Sequence, residues 1–214
     1  GGGTWLSAFT FLTGISGRAL GDMAFYAPVL LERKVHDSIP GLLKKLGYRT
    51  VVIFPVERNF VNEENFDRSL GFDEFYDPND LGWHSKNLWK TPDRELLQEV
   101  IKRVRSRNQS HDPRPLFIWT YTMINDGPHG MPGCTHCGFQ DYWMRFQDTP
   151  GDMDAFLTEM DRIEGSRPYS VVHFGDHLPA FLEEEQNGPA VGVERNDSRY
   201  LTYYSIPRTA KGRV

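Results

Sequence analysis

Two adjacent residues, Asp176 and His177, carry side chains that bind transition metals readily. They follow an apolar run at 169–174 and a glycine. A carboxylate oxygen beside an imidazole nitrogen suits Zn²⁺ or Mn²⁺. The alternative is that Asp176 caps a following helix and His177 is simply exposed. The pair by itself leaves both interpretations open.

Reactive side chains are also indicated at two other turns. Thr4 follows three glycines and opens an apolar segment, so its hydroxyl is expected in the positive field of a helix N-terminus, where anions bind. The alternative is that Thr4 is only the N-cap of that helix. Asp126 and His129 lie in a glycine-containing loop after the apolar run 116–121, and glycine lets the backbone approach a ligand closely.

Strands and helices alternate along the chain in a way that brings these turns together. Apolar and β-branched runs predict strands at 50–54, 116–121, 169–174 and 200–206. Capping residues, glycine stops and apolar spacing predict helices at 39–46, 62–70, 91–104 and 152–163. This alternation predicts an α/β fold with a mainly parallel central sheet and helices on both faces. The functional residues of such sheets lie at the carboxyl ends of the strands, which is where both loops fall.

The composition is that of one globular domain with an acidic surface. The 214 residues carry 24 basic and 29 acidic side chains, a formal net charge of −5, and 39% are hydrophobic. This balance argues against a broad nucleic-acid-binding surface, so no nucleic-acid partner is expected. No apolar run approaches the roughly 20 residues that cross a bilayer.

The two cysteines, Cys134 and Cys137, form a single C-x-x-C motif. Two cysteines exclude a four-cysteine zinc site and leave a redox motif or a short disulfide. Gly133 and Gly138 flank the motif and indicate a loop rather than the helix start of a thioredoxin-like protein. Outside the cytoplasm this favours a local disulfide.

Five segments, taken in order, resemble the alkaline phosphatase superfamily. The resemblance is to its sulfatase-like branch, which holds lipoteichoic acid synthases, phosphoglycerol transferases and phosphoethanolamine transferases. It implies an alkaline-phosphatase-like sandwich over nearly the whole chain. The matching segments are 2–14, 38–50, 62–76, 125–129 and 174–179.

The resemblance implies a metal-dependent phosphotransferase that acts on an anionic phosphodiester with a phosphoglycerol or phosphoethanolamine headgroup. Thr4 would be the nucleophile and would share a divalent metal, Mn²⁺ or Zn²⁺, with Asp176 and His177. Sulfate ester hydrolysis is disfavoured because the segment starting at Thr4 lacks the C/S-x-P-x-R motif of true sulfatases.

The resemblance also implies that Asp126 and His129 face the substrate or a second metal and that Asn62 contacts the substrate. Two positions depart from the family. Asp126 stands where the family usually has histidine, and Glu63 follows Asn62 where lipoteichoic acid synthases have a phosphate-binding arginine. Arg58 lies nearby and is the expected substitute for that arginine.

Three other functions remain open from the sequence. The first is a phosphodiesterase or phosphatase of the same fold, which hands the group to water. The second is a catalytically degenerate domain that binds a phosphorylated glycan or an anionic phospholipid headgroup. The third is a thioredoxin-like redox protein. For the preferred function we expect residues 1–214 to form one catalytic domain that lacks its first strand, with a membrane tether upstream, outside the cytoplasm.

Overall fold

A parallel three-stranded sheet lies at the centre of the computed structural model, which describes residues 3–83, 88–126, 138–176 and 204–205. Its strands are β1 (Arg49–Ile53), β2 (Glu74–Tyr76) and β3 (Leu116–Thr120), in the order β2-β1-β3. The expected parallel pairing is confirmed. Strand β2 was not predicted, because three residues are too short to show a periodic pattern.

A second ladder has two antiparallel strands and forms a sheet of its own. It joins β4 (His173–Phe174) to β5 (Tyr204–Ser205). The predicted strand at 169–174 is therefore too long, since residues 169–172 are not in a strand. Of the run 200–206, the structure describes two residues, and both belong to β5.

Helices surround the sheet at the expected places. Three of the predicted helices begin and end within a few residues of their expected positions, and the helix expected at 91–104 continues for six residues more. Among the described residues, no helix is long and apolar enough to cross a membrane. The helices are α1 (Thr4–Thr13), α2 (Ala27–Leu30), α3 (Ile39–Lys45), α4 (Glu63–Leu70), α5 (Asp93–Ser110), α6 (Gly138–Phe146) and α7 (Asp148–Glu164), with 3₁₀ segments at Gly17–Tyr26, Phe60–Asn62 and Leu88–Lys90.

The alternation of side chains along β1 produces two separate cores. Val52 faces a cluster that includes Phe9 of α1 and Phe66 of α4. Val51 and Ile53 point the other way, into a cluster formed by α5 and α7. Helices therefore cover both faces of the sheet, as the apolar character of β1 predicts.

Helices α3 and α4 are locked together where one begins and the other ends. Ser38 caps α3 by accepting a hydrogen bond from Gly41 N, and its hydroxyl donates to Leu70 O at the end of α4. Gly71, at φ 112°, ends α4, and a Cβ atom there would lie 2.8 Å from Gly41 Cα. This contact fixes α4, whose first turn lies beside the carboxyl end of the sheet.

Candidate functional site

Thr4 is the first residue of α1 and forms a hydrogen bond to Asp176. The N-cap is Gly3, whose carbonyl accepts from Leu6 N and Ser7 N, so the alternative that Thr4 is the N-cap is wrong. The Thr4 hydroxyl is thereby released from capping, and it donates to Asp176 Oδ2 at 2.5 Å across 172 positions in the sequence. Two of the residues that the sequence singled out are in direct contact.

The segment that carries Asp176 is held against α1 at two points. Phe174 stacks on Phe11 of α1, with ring centroids 4.9 Å apart, and its ring lies 5.9 Å from that of Trp119 on β3. Two residues later, the Ser7 hydroxyl donates to Asp176 O at 2.5 Å. Aromatic packing and a hydrogen bond together place the Asp176 carboxylate beside Thr4.

Helix α6 holds the loop that contains Asp126. Arg145 donates to Asp126 O at 3.2 Å and to Ile124 O at 3.4 Å, and its guanidinium is paired with Asp141. Burial, and secondarily the charge of Asp176, raises the pKa of Tyr142 on the same helix. Helix α6 was not predicted from the sequence, although an acid and an arginine four residues apart are typical of a helix.

A chain of hydrogen bonds also joins the Asp126 loop to α7 and α5. Asn125 donates to the Thr149 hydroxyl at 3.3 Å, and Thr149 donates to Asp93 Oδ2 at 2.8 Å. Burial raises the pKa of Asp93 to about 6, against the lowering effect of the Thr149 hydrogen bond. The loop is thus attached to the first turns of α5 and α7.

Arg58, an expected substrate contact, is surrounded by carboxylates of its own region. Its guanidinium donates to Asp77 at 2.9 Å, to Asp80 at 2.6 Å and to Glu64 at 3.1 Å. About 40% of the side chain is exposed, but its partners are already anionic. A phosphate would have to compete with three acids for this arginine.

Asn62 precedes α4, as predicted, yet its side chain does not cap that helix. The residue has φ 65°, and its amide donates to Pro28 O and to Glu32 Oε2, while Asn65 donates to its side-chain oxygen. These contacts tie the start of α4 to α2. The role of Asn62 and Arg58 in binding substrate stays a prediction.

Glu63 forms part of a buried acidic cluster. Glu63 and Asp67 lie one turn apart on α4 and are 3% and 1% exposed. The Tyr121 hydroxyl donates to Glu63 Oε1 at 2.6 Å, while both carboxylate oxygens of Asp67 have no hydrogen-bond partner. Burial raises the pKa of Glu63 to about 7 and the pKa of Asp67 well above its ordinary value. The residue that replaces the arginine of the resemblance is therefore a core residue bound to Tyr121.

The donor atoms beside Thr4 fit the expected divalent metal in part. A hydroxyl and a carboxylate oxygen 2.5 Å apart are hard donors of the kind that Mn²⁺ and Zn²⁺ accept. No group of three or more metal-binding His, Cys, Asp or Glu side chains occurs in the part of the chain that the structure describes. Four expected residues lie outside that part: His177, His129, Cys134 and Cys137.

Comparison with sequence families gives one match over most of the chain. The family model described as Sulfatase matches residues 1–203. An uncharacterised protein of Haemophilus influenzae is 27% identical over 200 residues, which is 84% of this chain and 36% of that protein.

Two solved structures of similar fold are named as a lipoteichoic acid synthase and a phosphoglycerol transferase. The lipoteichoic acid synthase LtaP from Listeria monocytogenes has a TM-score of 0.74 and 16% identity, over 94% of this chain and 52% of that one. The Streptococcus pyogenes phosphoglycerol transferase GacH, in complex with sn-glycerol-1-phosphate, has a TM-score of 0.63 and 20% identity, over 98% of this chain and 56% of that one. The chain spans about half the length of both structures. The expected alkaline-phosphatase-like fold is confirmed.

Proposed function

The chain belongs to the sulfatase family, and we propose that it is the catalytic part of a phosphotransferase that uses Thr4 as its nucleophile. The observation that carries the proposal is the contact between the Thr4 hydroxyl and Asp176. Phosphoryl rather than sulfuryl transfer is supported by the absence of the C/S-x-P-x-R motif at Thr4. It is also supported by the names of the two similar structures.

The proposed reaction has two steps, and a phosphothreonine links them. The Thr4 oxygen attacks the phosphorus of a phosphodiester, the bond to the leaving alcohol breaks, and the Thr4 proton ends on that alcohol by way of the Asp176 carboxylate. The oxygen of an acceptor hydroxyl then attacks the phosphothreonine, the bond between the phosphorus and the Thr4 oxygen breaks, and the acceptor's proton passes to Thr4 by way of Asp176. The N-terminus of α1 favours the negative charge that develops on the phosphoryl oxygens.

A divalent metal, Mn²⁺ or Zn²⁺, would be held by Thr4 and Asp176 together with His177. When bound, such an ion lowers the pKa of a coordinated hydroxyl and offsets phosphate charge. Within the chain itself, Asp176 accepts the Thr4 proton and Ser7 and Phe174 hold Asp176 in place. Arg145 holds the loop of Asp126, which faces substrate in the proposal.

The proposed substrate is an anionic phospholipid headgroup or a phosphorylated glycan, and the proposed location is outside the cytoplasm beside a membrane tether. Hydrolysis by the same site is the second candidate, since the choice between water and an acceptor hydroxyl is made in the second step. A non-catalytic headgroup-binding domain is the third candidate, and it would account for Asp126 and Glu63 at positions where the family has histidine and arginine.

The test uses the full-length protein with Mn²⁺ and vesicles that contain phosphatidylglycerol or phosphatidylethanolamine. We expect release of diacylglycerol and a mass increase on the peptide that contains Thr4. Thr4→Ala should lose both signals, while Thr10→Ala, which removes an exposed hydroxyl from the same helix, should retain them. Turnover that survives in Thr4→Ala would contradict the proposed nucleophile. Headgroup binding without any turnover would favour the binding domain.

A further inference from the structure

Two hydroxyls in the first turn of α1 form hydrogen bonds to Asp176, one to its side chain and one to its main chain. Thr4 and Ser7 are three positions apart on α1, so their side chains lie on one face of the helix. Thr4 binds the Asp176 carboxylate and Ser7 binds the Asp176 carbonyl, each at 2.5 Å. The first turn of α1 therefore grips the side chain and the main chain of Asp176 together.

The Ser7 hydroxyl can bind Asp176 because the helix does not need this hydroxyl for its own hydrogen bonds. Its backbone N–H already donates to Gly3 O at 3.2 Å. The helix is also a rigid support, since Phe9 and Leu12 on the following turns are 0% and 1% exposed. A hydroxyl on such a helix therefore restrains the position of the Asp176 main chain relative to α1.

The Asp176 segment needs this support, because the strand before it is attached to the main sheet by packing. Strand β4 pairs with β5, and its described contact with β3 is the ring of Phe174 against Trp119. The described hydrogen bonds between this segment and α1 include those of Thr4 and Ser7. Thr4 changes its bonding during the proposed reaction, whereas the Ser7 hydroxyl takes no part in the chemistry and can keep its bond throughout.

We propose that Ser7 is a positioning residue that holds the main chain of Asp176 so that the carboxylate stays aligned with Thr4 through both steps. The inference rests on the proposed function. A misplacement of about 1 Å between reacting groups can lower a rate by about a hundredfold, and one neutral hydrogen bond restrains part of such a movement.

The experiment compares Ser7→Ala and Ser7→Thr in the full-length protein, with Ser69→Ala as the matched control. Ser69 is half-buried and donates to Phe66 O at 2.7 Å on α4, so its replacement removes the same kind of bond away from the site. Two readouts are taken: Mn²⁺ affinity by electron paramagnetic resonance, and kcat and KM for bis(p-nitrophenyl) phosphate.

For Ser7→Ala we expect kcat to fall about tenfold, KM to change less than twofold, and Mn²⁺ affinity to fall several-fold. Ser7→Thr should recover both values because it restores the hydroxyl, and Ser69→Ala should match the wild type. Wild-type kcat and Mn²⁺ affinity in Ser7→Ala would overturn the positioning role, as would a loss that Ser7→Thr does not recover.

Failure of the proposed function gives a different result. A wild-type protein that takes up Mn²⁺ but cleaves no phosphodiester contradicts the phosphotransferase, while the Mn²⁺ affinity of Ser7→Ala still decides the role of Ser7. A wild-type protein that binds no Mn²⁺ and cleaves no diester overturns both proposals.

Discussion

Replacing Glu63 by glutamine is expected to stabilise the protein above neutral pH, which is unusual for a change in a buried core. Glu63 and Asp67 are almost completely buried, and the described hydrogen bond to this pair comes from Tyr121. A buried carboxyl group in such surroundings keeps its proton, because charge is disfavoured where water is excluded. The folded protein therefore binds protons that the unfolded chain has released.

The size of the effect follows from the raised pKa. The pKa of Glu63 moves from 4.5 to about 7 on folding, mainly through burial and in spite of the Tyr121 hydrogen bond. At 1.36 kcal/mol per pH unit this difference is about 3 kcal/mol. The contribution is fully present below pH 4.5, falls as the pH rises towards 7, and is lost above it. The pKa of Asp67 is raised in the same direction, so the two carboxyls titrate as a pair and add to the trend.

The assay is urea unfolding of the wild type, Glu63→Gln and Asp67→Asn between pH 4 and pH 8. The two variants should match the wild type within about 1 kcal/mol at pH 4. At pH 8, Glu63→Gln should be more stable by about 3 kcal/mol, since glutamine stays neutral and can still accept from Tyr121. Comparing the proteins at each pH cancels the titration of the groups that do not interact with this pair of carboxyls.

Glu64→Gln is the matched control, on the same helix and next in sequence. Glu64 accepts hydrogen bonds from Arg58 and Arg68, so its neutralisation should destabilise the protein at pH 8 rather than stabilise it. A Glu63→Gln variant that is no more stable than the wild type at pH 8 would refute the reasoning. So would a difference between the two proteins that does not change with pH.

Two further predictions concern arginines that join helices. Arg107 and Glu164 form an ion pair in which both side chains are almost completely buried, so Arg107→Ala should lower the free energy of unfolding by about 3–5 kcal/mol in urea titrations; a loss below about 1 kcal/mol would show that the pair is not desolvated in solution. Arg145→Gln removes the ion pair with Asp141 and weakens the bond to Asp126 O, so phosphodiester turnover should fall with little change in unfolding midpoint. Unchanged turnover in this variant would mean that the loop keeps its position without α6.

The parts of the fold that were predictable are those with strong local patterns. The apolar run in β1 and the serine cap of α3 are local signals, and the structure confirms both. Strand β2 has three residues and begins with a charged one, Glu74, which forms an ion pair with Arg49 on the neighbouring strand. Such a strand forms because it pairs with β1, and the pattern of its own three residues does not indicate it.

The contact between Thr4 and Asp176 agrees with what the resemblance implied, while the residues that support it were not predicted. The parallel sheet did not predict this contact, because β4 pairs with β5 outside that sheet. Ser7 and Arg145 were missed because a serine within a helix and an i,i+4 acid–arginine pair are common on any surface. Their partners are backbone carbonyls, which leave no trace in the side-chain pattern.

The position of Asp176 shows why the supports matter as much as the reactive groups. A residue within a parallel ladder is located by several backbone hydrogen bonds, and the loss of one side chain barely moves it. Asp176 follows a two-residue strand that pairs with β5, and its described contacts with α1 include the stacking of Phe174 on Phe11 and the two hydroxyl hydrogen bonds. Each hydrogen bond of this kind contributes about 1 kcal/mol. A single lost hydroxyl at this site should consequently change catalysis more than it changes global stability, because the two cores on either side of β1 do not depend on it.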